Sequence, residues 1–172
     1  VVKARQLIEK AVGENRVMYG VTTGFGSLST RVINAQQAQQ LQRNIVLSHA
    51  ASVGTPYTAE EARATMLMVL QNVGRGYSGI RLEVLELLRE MLNRNVTPWM
   101  PREGSVGYLA PEAHLALVLI GEGQAYFQNR LMPGKDALEQ AGLTPLSLAA
   151  KEGLALVSGT TSVTALASLA LY

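Results

Sequence analysis

The chain has no cysteine among its 172 residues, which removes thiol catalysis, disulfide staples and cysteine metal sites together and agrees with a cytoplasmic location. Aromatic residues amount to 5% and charged residues to 16%. Charge of one sign is also scarce: 15 basic side chains face 13 acidic ones for a net of +2, and no segment gathers Lys and Arg into the patch that a nucleic-acid partner needs. The two histidines, His49 and His114, lack the close spacing of a metal pair, so no metal is expected. Long apolar runs are missing as well. The longest strongly apolar run, Leu115 to Ile120, falls far short of the roughly 20 residues of a spanning helix, so no membrane is expected. The opening Val1-Val2-Lys3-Ala4-Arg5 has no apolar export core, and a first residue other than Met predicts a chain that begins inside a longer one.

What is present is apolar surface with helical spacing. Hydrophobic residues make up 48%, enough to bury a core as one unit over residues 1–172. The periodicity predicts an all-α fold, mainly a helical bundle, with short strands near Val17 and Ala125. Helices are expected over Lys3 to Val12, from an N-cap at Asn34 to about Ser52 with Gly54 as the stop, from the Thr58/Glu61 capping box to Gly74, and over Arg81 to Arg94. Val96 to Gly107, with two prolines and two glycines, reads as loop. Pro111 suits the first turn of a helix to Ile120, and Gln124 to Met132 reads as a hairpin turning through Gln128-Asn129. A short helix over Asp136 to Ala141 follows. The last helix, Val163 to Tyr172, is apolar all round, which predicts a partial domain of a larger helical protein.

Four segments carry possible chemistry. Tyr19-Gly20-Val21-Thr22-Thr23-Gly24-Phe25-Gly26 is a glycine-rich loop that opens on a phenol; it is either a connector with a packed tyrosine or a close-approach loop with a general base. Gln42-Arg43-Asn44-Ile45-Val46-Leu47-Ser48-His49-Ala50 places His49 late in a helix, as a satisfied structural histidine or as a ligand contact. Gly104-Ser105-Val106-Gly107 runs directly into Tyr108-Leu109-Ala110-Pro111-Glu112-Ala113-His114, where two glycines allow a tight backbone ahead of a helix whose positive end faces it. Glu112 and His114 read as helix-surface or core groups. Leu156-Val157-Ser158-Gly159-Thr160-Thr161 is a helix break whose hydroxyls satisfy backbone groups equally well without any further role.

Taken in order, and with Arg75-Gly76-Tyr77-Ser78-Gly79-Ile80-Arg81 between them, these segments resemble the aromatic amino acid ammonia-lyase family, the histidine-type members most of all. The resemblance covers almost the whole chain but only the amino-terminal part of the family's longer enzymes. It implies the ammonia-lyase (fumarase/aspartase-like) helical fold and non-oxidative deamination of an aromatic L-amino acid, above all L-histidine to trans-urocanate and ammonia. Tyr19 would take the β-proton, and His49 with Gly26 would bind the substrate, the imidazole favouring a polar ring. Gly107 and Tyr108 would flank the catalytic electrophile, a methylidene-imidazolone that the family makes from an Ala-Ser-Gly triplet, and Gly104 and Ser158 would support it. The resemblance also implies a homotetramer, or a complementing carboxy-terminal chain.

This sequence departs from that pattern at three places. Thr22 or Thr23 stands where an Asn is common, Ser158 replaces an Asn, and Gly107 is joined to Tyr108 with no triplet between them. Either a modified residue has left no letters there, so that only an Asp has become Tyr, or the chain lacks the triplet. In the second case it is a non-catalytic lyase-like subunit that acts through helix–helix association.

Overall fold

The computed structural model describes residues 1–26, 29–104 and 110–172. In chain order the elements are α1 (Val2–Gly13), α2 (Ala35–His49), β1 (Val53–Pro56), α3 (Ala59–Gly74), α4 (Leu82–Asn93), β2 (Thr97–Pro98) and β3 (Pro101–Glu103). They continue with α5 (Ala110–Leu119), β4 (Gln124–Phe127), β5 (Arg130–Pro133), α6 (Gly134–Gln140), α7 (Glu152–Val157) and α8 (Thr161–Leu171). The fold is mainly helical, as the periodicity predicts.

Helix starts follow their caps. Asn34 accepts from the Gln37 amide while the Gln37 side chain accepts from the Asn34 amide, and Thr58 and Glu61 close the same reciprocal pair at α3. The helix at the centre is α5. From Leu115 to Leu119 it is buried on every side, and α2, α3, α4, α6, α7 and α8 all pack on it. A helix apolar all round has no solvent face to offer, so the rest of the chain wraps it.

One buried ion network ties the ends of the chain to this core. The Glu152 carboxylate accepts from the Arg81 amide at 3.0 Å, from Arg81 Nε at 2.8 Å and Nη2 at 2.7 Å, and from the Ala149 amide at 2.7 Å, with Arg5 Nη1 at 3.8 Å. Every acceptor site has a donor, so the charge can sit in the interior without the penalty of an unpaired ion.

Four expectations need correction. Gly54 does not end a helix: α2 stops at His49, and Gly54, at φ +78°, lies inside β1, where an added Cβ would meet the Glu103 carboxylate of the paired strand. Val96–Gly107 is not all loop, since it holds β2 and β3. Strand β3 pairs antiparallel with β1, and β2 extends the β4–β5 hairpin into a three-stranded sheet. No strand forms at Val17; Tyr19 to Thr22 is a run of turns, and only Thr23 makes a single bridge, to Val32. Finally, the 20-residue stretch Glu152–Leu171 holds an 18-residue window of mean hydropathy 1.6, longer than the Leu115–Ile120 run. It is broken at Ser158–Thr160 into α7 and α8, each well below the roughly 20 residues of a spanning helix.

Candidate active site

The described residues form two banks around the Gly104 to Ala110 connection. The first bank is strand-built. Val53 of β1 pairs with Glu103 of β3, so the next residue, Gly104, lies against the chain just past α2: a Cβ there would stand 3.5 Å from the Ala51 carbonyl. Gly104 has φ +98°, a conformation that favours glycine. Two residues before Ala51 sits His49, half-buried at the end of α2. Its Nδ1 lies 2.8 Å from the Ile45 carbonyl oxygen and 3.1 Å from Ser48 Oγ. A carbonyl only accepts, so Nδ1 carries the proton and Nε2 is left as an acceptor.

The second bank is the first turn of α5. Glu112, 1% exposed, accepts from Thr161 Oγ1 at 2.7 Å and from the Ser162 amide at 2.8 Å through one oxygen, while Oε2 has no partner among the described residues. Burial raises the Tyr57 phenol above its usual range, with the Glu112 charge in support, against a Ser162 hydrogen bond and the Arg102 guanidinium 5.4 Å from the ring. Burial pushes the His114 imidazole below its usual range, in part opposed by a hydrogen bond to the Ser52 backbone, and Trp99 meets the ring edge-on at 6.2 Å. Ser52 Oγ and His114 Nε2 are buried and have no partner among the described residues.

Helix α7 connects these banks to the remaining motifs. Ala38 and Ala150 share a small apolar cluster, the Gln42 side chain accepts from the Leu154 amide at 3.1 Å, and Ile45 and Val46 share the main core with Leu156 and Val157. The residues rise together along both helices, so α2 and α7 run parallel, and Ser158, just past α7, lies toward the same end as His49. Ser158 is extended, at φ −101° and ψ 121°, and its amide donates to the Leu154 carbonyl. Gly159 and Thr160 then lead into α8, whose first turn is the one bound to Glu112.

The Tyr19 loop packs on α7 from outside. Gly20 has φ +69°, and an added Cβ would meet the Phe25 ring at 2.5 Å and Leu154 Cδ2 at 3.2 Å. The Gly20 amide donates to Thr23 Oγ1, and Thr22 Oγ1 bonds the Arg16 carbonyl, so the two threonines brace the loop. Tyr19 stands 65% exposed, edge-on to Phe25 at 5.9 Å, and the Gly26 amide donates to its hydroxyl oxygen at a long 3.4 Å. Tyr19 and Gly26 thus share one turn. Gly107 and Tyr108 lie outside the described residues. No group of three or more metal-ligating side chains occurs among the described residues.

Glu112, Ser52 and Tyr57 were not singled out from the sequence as site groups. A signal existed for Glu112: it is the only charged residue in the otherwise apolar stretch Leu109 to Ile120, apart from the neutral-tending His114.

The architecture is that of the helical ammonia-lyases, present in part. The family described as aromatic amino acid lyase matches residues 1–172, and the chain belongs to it. It is 49% identical to histidine ammonia-lyase of Symbiobacterium thermophilum over 175 aligned positions that take in 100% of this chain and 34% of that one. Because the chain has 172 residues, three positions of that relative have no counterpart here. The structure superposes on the crystal structure of histidine ammonia-lyase from Trypanosoma cruzi with TM-score 0.94 and 39% identity, covering 99% of this chain and 34% of that one. It superposes on Pantoea agglomerans phenylalanine aminomutase with TM-score 0.93 and 37% identity, covering 98% and 33%. The chain spans about a third of the length of the curated relatives it matches.

Proposed function

We propose that this chain furnishes the ring-binding and proton-accepting part of an aromatic amino acid ammonia-lyase whose substrate is L-histidine, released as trans-urocanate and ammonia. The observation that carries the reading is the 2.8 Å contact between His49 Nδ1 and the Ile45 carbonyl. It commits Nε2 to accepting a hydrogen bond, which the N–H of an imidazole or the hydroxyl of a phenol can donate and a phenyl ring cannot. An acceptor that the wrong ring would cover and leave unpaired costs affinity, and this selects for the polar ring. Where another chain supplies the electrophile, Tyr19, exposed on its braced loop, is the base for the β-proton. Gly26, on the same turn, holds the phenol oxygen through its amide, and the absence of a side chain there leaves room for the substrate. The bond-breaking assembly is cytoplasmic and joins this segment to a complementing carboxy-terminal chain that brings the electrophile, whereas a homotetramer of this chain alone binds the substrate without cleaving it.

The electrophile implied by the family resemblance is built from a chain's own Ala-Ser-Gly, and no such triplet occurs among the 172 residues. The unpartnered Ser52 Oγ and His114 Nε2 would support a polar group beside Gly104, with Ser158 across the site, but none of them supplies an electrophilic carbon. The residues present do not fit that group, and no step proposed here runs through it.

A second reading is a lyase-like subunit that acts by helix–helix association. The specific observation in its favour is α8, where Val163, Leu169, Leu171 and Tyr172 are all exposed.

Calorimetric titration of the full-length protein with L-histidine, L-tyrosine and L-phenylalanine, followed by ultraviolet absorbance for urocanate, tests both. Binding in the order histidine, tyrosine, phenylalanine supports the first reading. Equal or tighter binding of phenylalanine removes it, and the absence of any binding leaves the second.

A further inference from the structure

Two features of the chain agree in size. The alignment with the Symbiobacterium relative leaves three positions without a counterpart, and three is the length of the triplet that Gly107-Tyr108 passes over. The chain on either side is firmly held. On the Gly104 side, β3 is paired with β1 and Gly104 packs against Ala51 and Ser52; on the other, Glu112 locks the first turn of α5 to the first turn of α8. The surroundings of a reactive junction are intact, then, while its reactive residues are unwritten. Two other Ser-Gly pairs exist, Ser78-Gly79 and Ser158-Gly159, preceded by Tyr77 and Val157. Gly79 is fixed with its carbonyl accepting from Arg5, and Ser158 is extended, so neither pair forms the tight turn that would bring the glycine nitrogen back onto the carbonyl two residues earlier.

We infer that three residues have been lost between Gly107 and Tyr108, and that the protein on its own holds an aromatic amino acid without breaking its carbon–nitrogen bond. The second half rests on the ring-binding reading of His49; the first half does not. No cyclisation takes place and no water is expelled from the backbone, so the protein is a binding member of a bond-breaking family. Both banks being anchored, the connection between them can be lengthened at small entropic cost.

The test is peptide mass mapping of the full-length protein. Trypsin cuts after Arg102 and Arg130, and the peptide Glu103–Arg130 is expected at the sum of its written residues, as are the peptides holding Ser78-Gly79 and Ser158-Gly159. A Glu103–Arg130 peptide heavier by Ala-Ser-Gly less two waters overturns the inference, and so does a deficit of two waters in either other peptide. With the masses as expected, L-histidine should bind and emerge unchanged. Urocanate made by the purified protein overturns the inference, whereas failure to bind any of the three aromatic amino acids overturns only the pocket reading. Insertion of Ala-Ser-Gly between residues 107 and 108 should leave the fold intact by circular dichroism and yield a peptide lighter than the inserted sum by two waters. An inserted chain that folds but loses no water shows that more than the triplet is missing, and overturns the statement that the loss is confined to this junction.

Discussion

Two carboxylates are buried among the described residues, Glu152 and Glu112, and the regions around them differ in how completely they are satisfied. Glu152 receives donors on both oxygens, from Arg81 and from two backbone amides, and burial alone would push it up. The Arg81 and amide hydrogen bonds outweigh that and hold it below the usual carboxylate range. Glu112 is as deeply buried, yet one of its oxygens caps α8 and the other has no partner among the described residues. The closed network lies where α1, α4 and α7 meet. The open one lies at the start of the helix that follows the Gly107-Tyr108 junction, beside a raised Tyr57 and the unpartnered Ser52 and His114. Among the described residues the unpartnered buried groups are Glu112 Oε2, Ser52 Oγ, His114 Nε2 and Gln42 Nε2, the first three gathered near the start of α5 and none of them in the Glu152 network.

The contrast can be broken by mutation. Glu152→Gln should destabilise the protein by about 3 kcal/mol in denaturant unfolding, because it leaves the Arg81 guanidinium facing a neutral group. Its folded-state pKa being depressed, Glu152 contributes stability that is present above the unfolded value of about 4.3 and is lost as pH falls through the folded one. The acid limb of the stability curve should therefore flatten in Glu152→Gln. Glu112→Gln keeps the oxygen that caps α8 and should cost less, about 1 kcal/mol. If it costs as much as Glu152→Gln, the distinction between the two regions fails.

Smaller effects sharpen the same map. Asn34→Ala and Thr58→Ala each remove a reciprocal cap and should each cost about 1 kcal/mol by thermal unfolding, with little interaction between them. The depressed His114 imidazole gives the same sign as Glu152, in a higher pH window. The unfolded chain binds its proton below about pH 6.5 while the folded one resists, so stability falls as pH drops from there toward the folded value. A His114→Gln variant should lose that part of the pH dependence.

Much of this was legible in the sequence because helices are written locally. Asn34, the Thr58/Glu61 box, Pro111 and the Gln128-Asn129 turn each act within four residues, and all four stand where the spacing put them; Gln128 and Asn129 take φ +49° and +60°. The short strands were not legible. Strands β2 and β3 hold two and three residues, too few to show alternation. Each also contains a proline, which is tolerated only where the ladder needs no N–H. Their partners lie 27 to 50 residues away, so only the tertiary fold decides that Thr97 opposes Tyr126 and Val53 opposes Glu103. The site divides in the same manner. Tyr19, His49 and Ser158 stood out as motif residues, whereas the partners of Glu112, Thr161 and Ser162, are contributed by a helix about 50 residues on, and a single sequence does not show that pairing.

The account turns on His49 reading the substrate ring, and a substitution there tests it most directly. Titrating L-histidine and L-phenylalanine into the full-length protein and its His49→Phe variant should show preference for histidine in the first and a shift toward phenylalanine of roughly tenfold or more in the second. An unchanged preference in a folded His49→Phe protein would contradict the assignment.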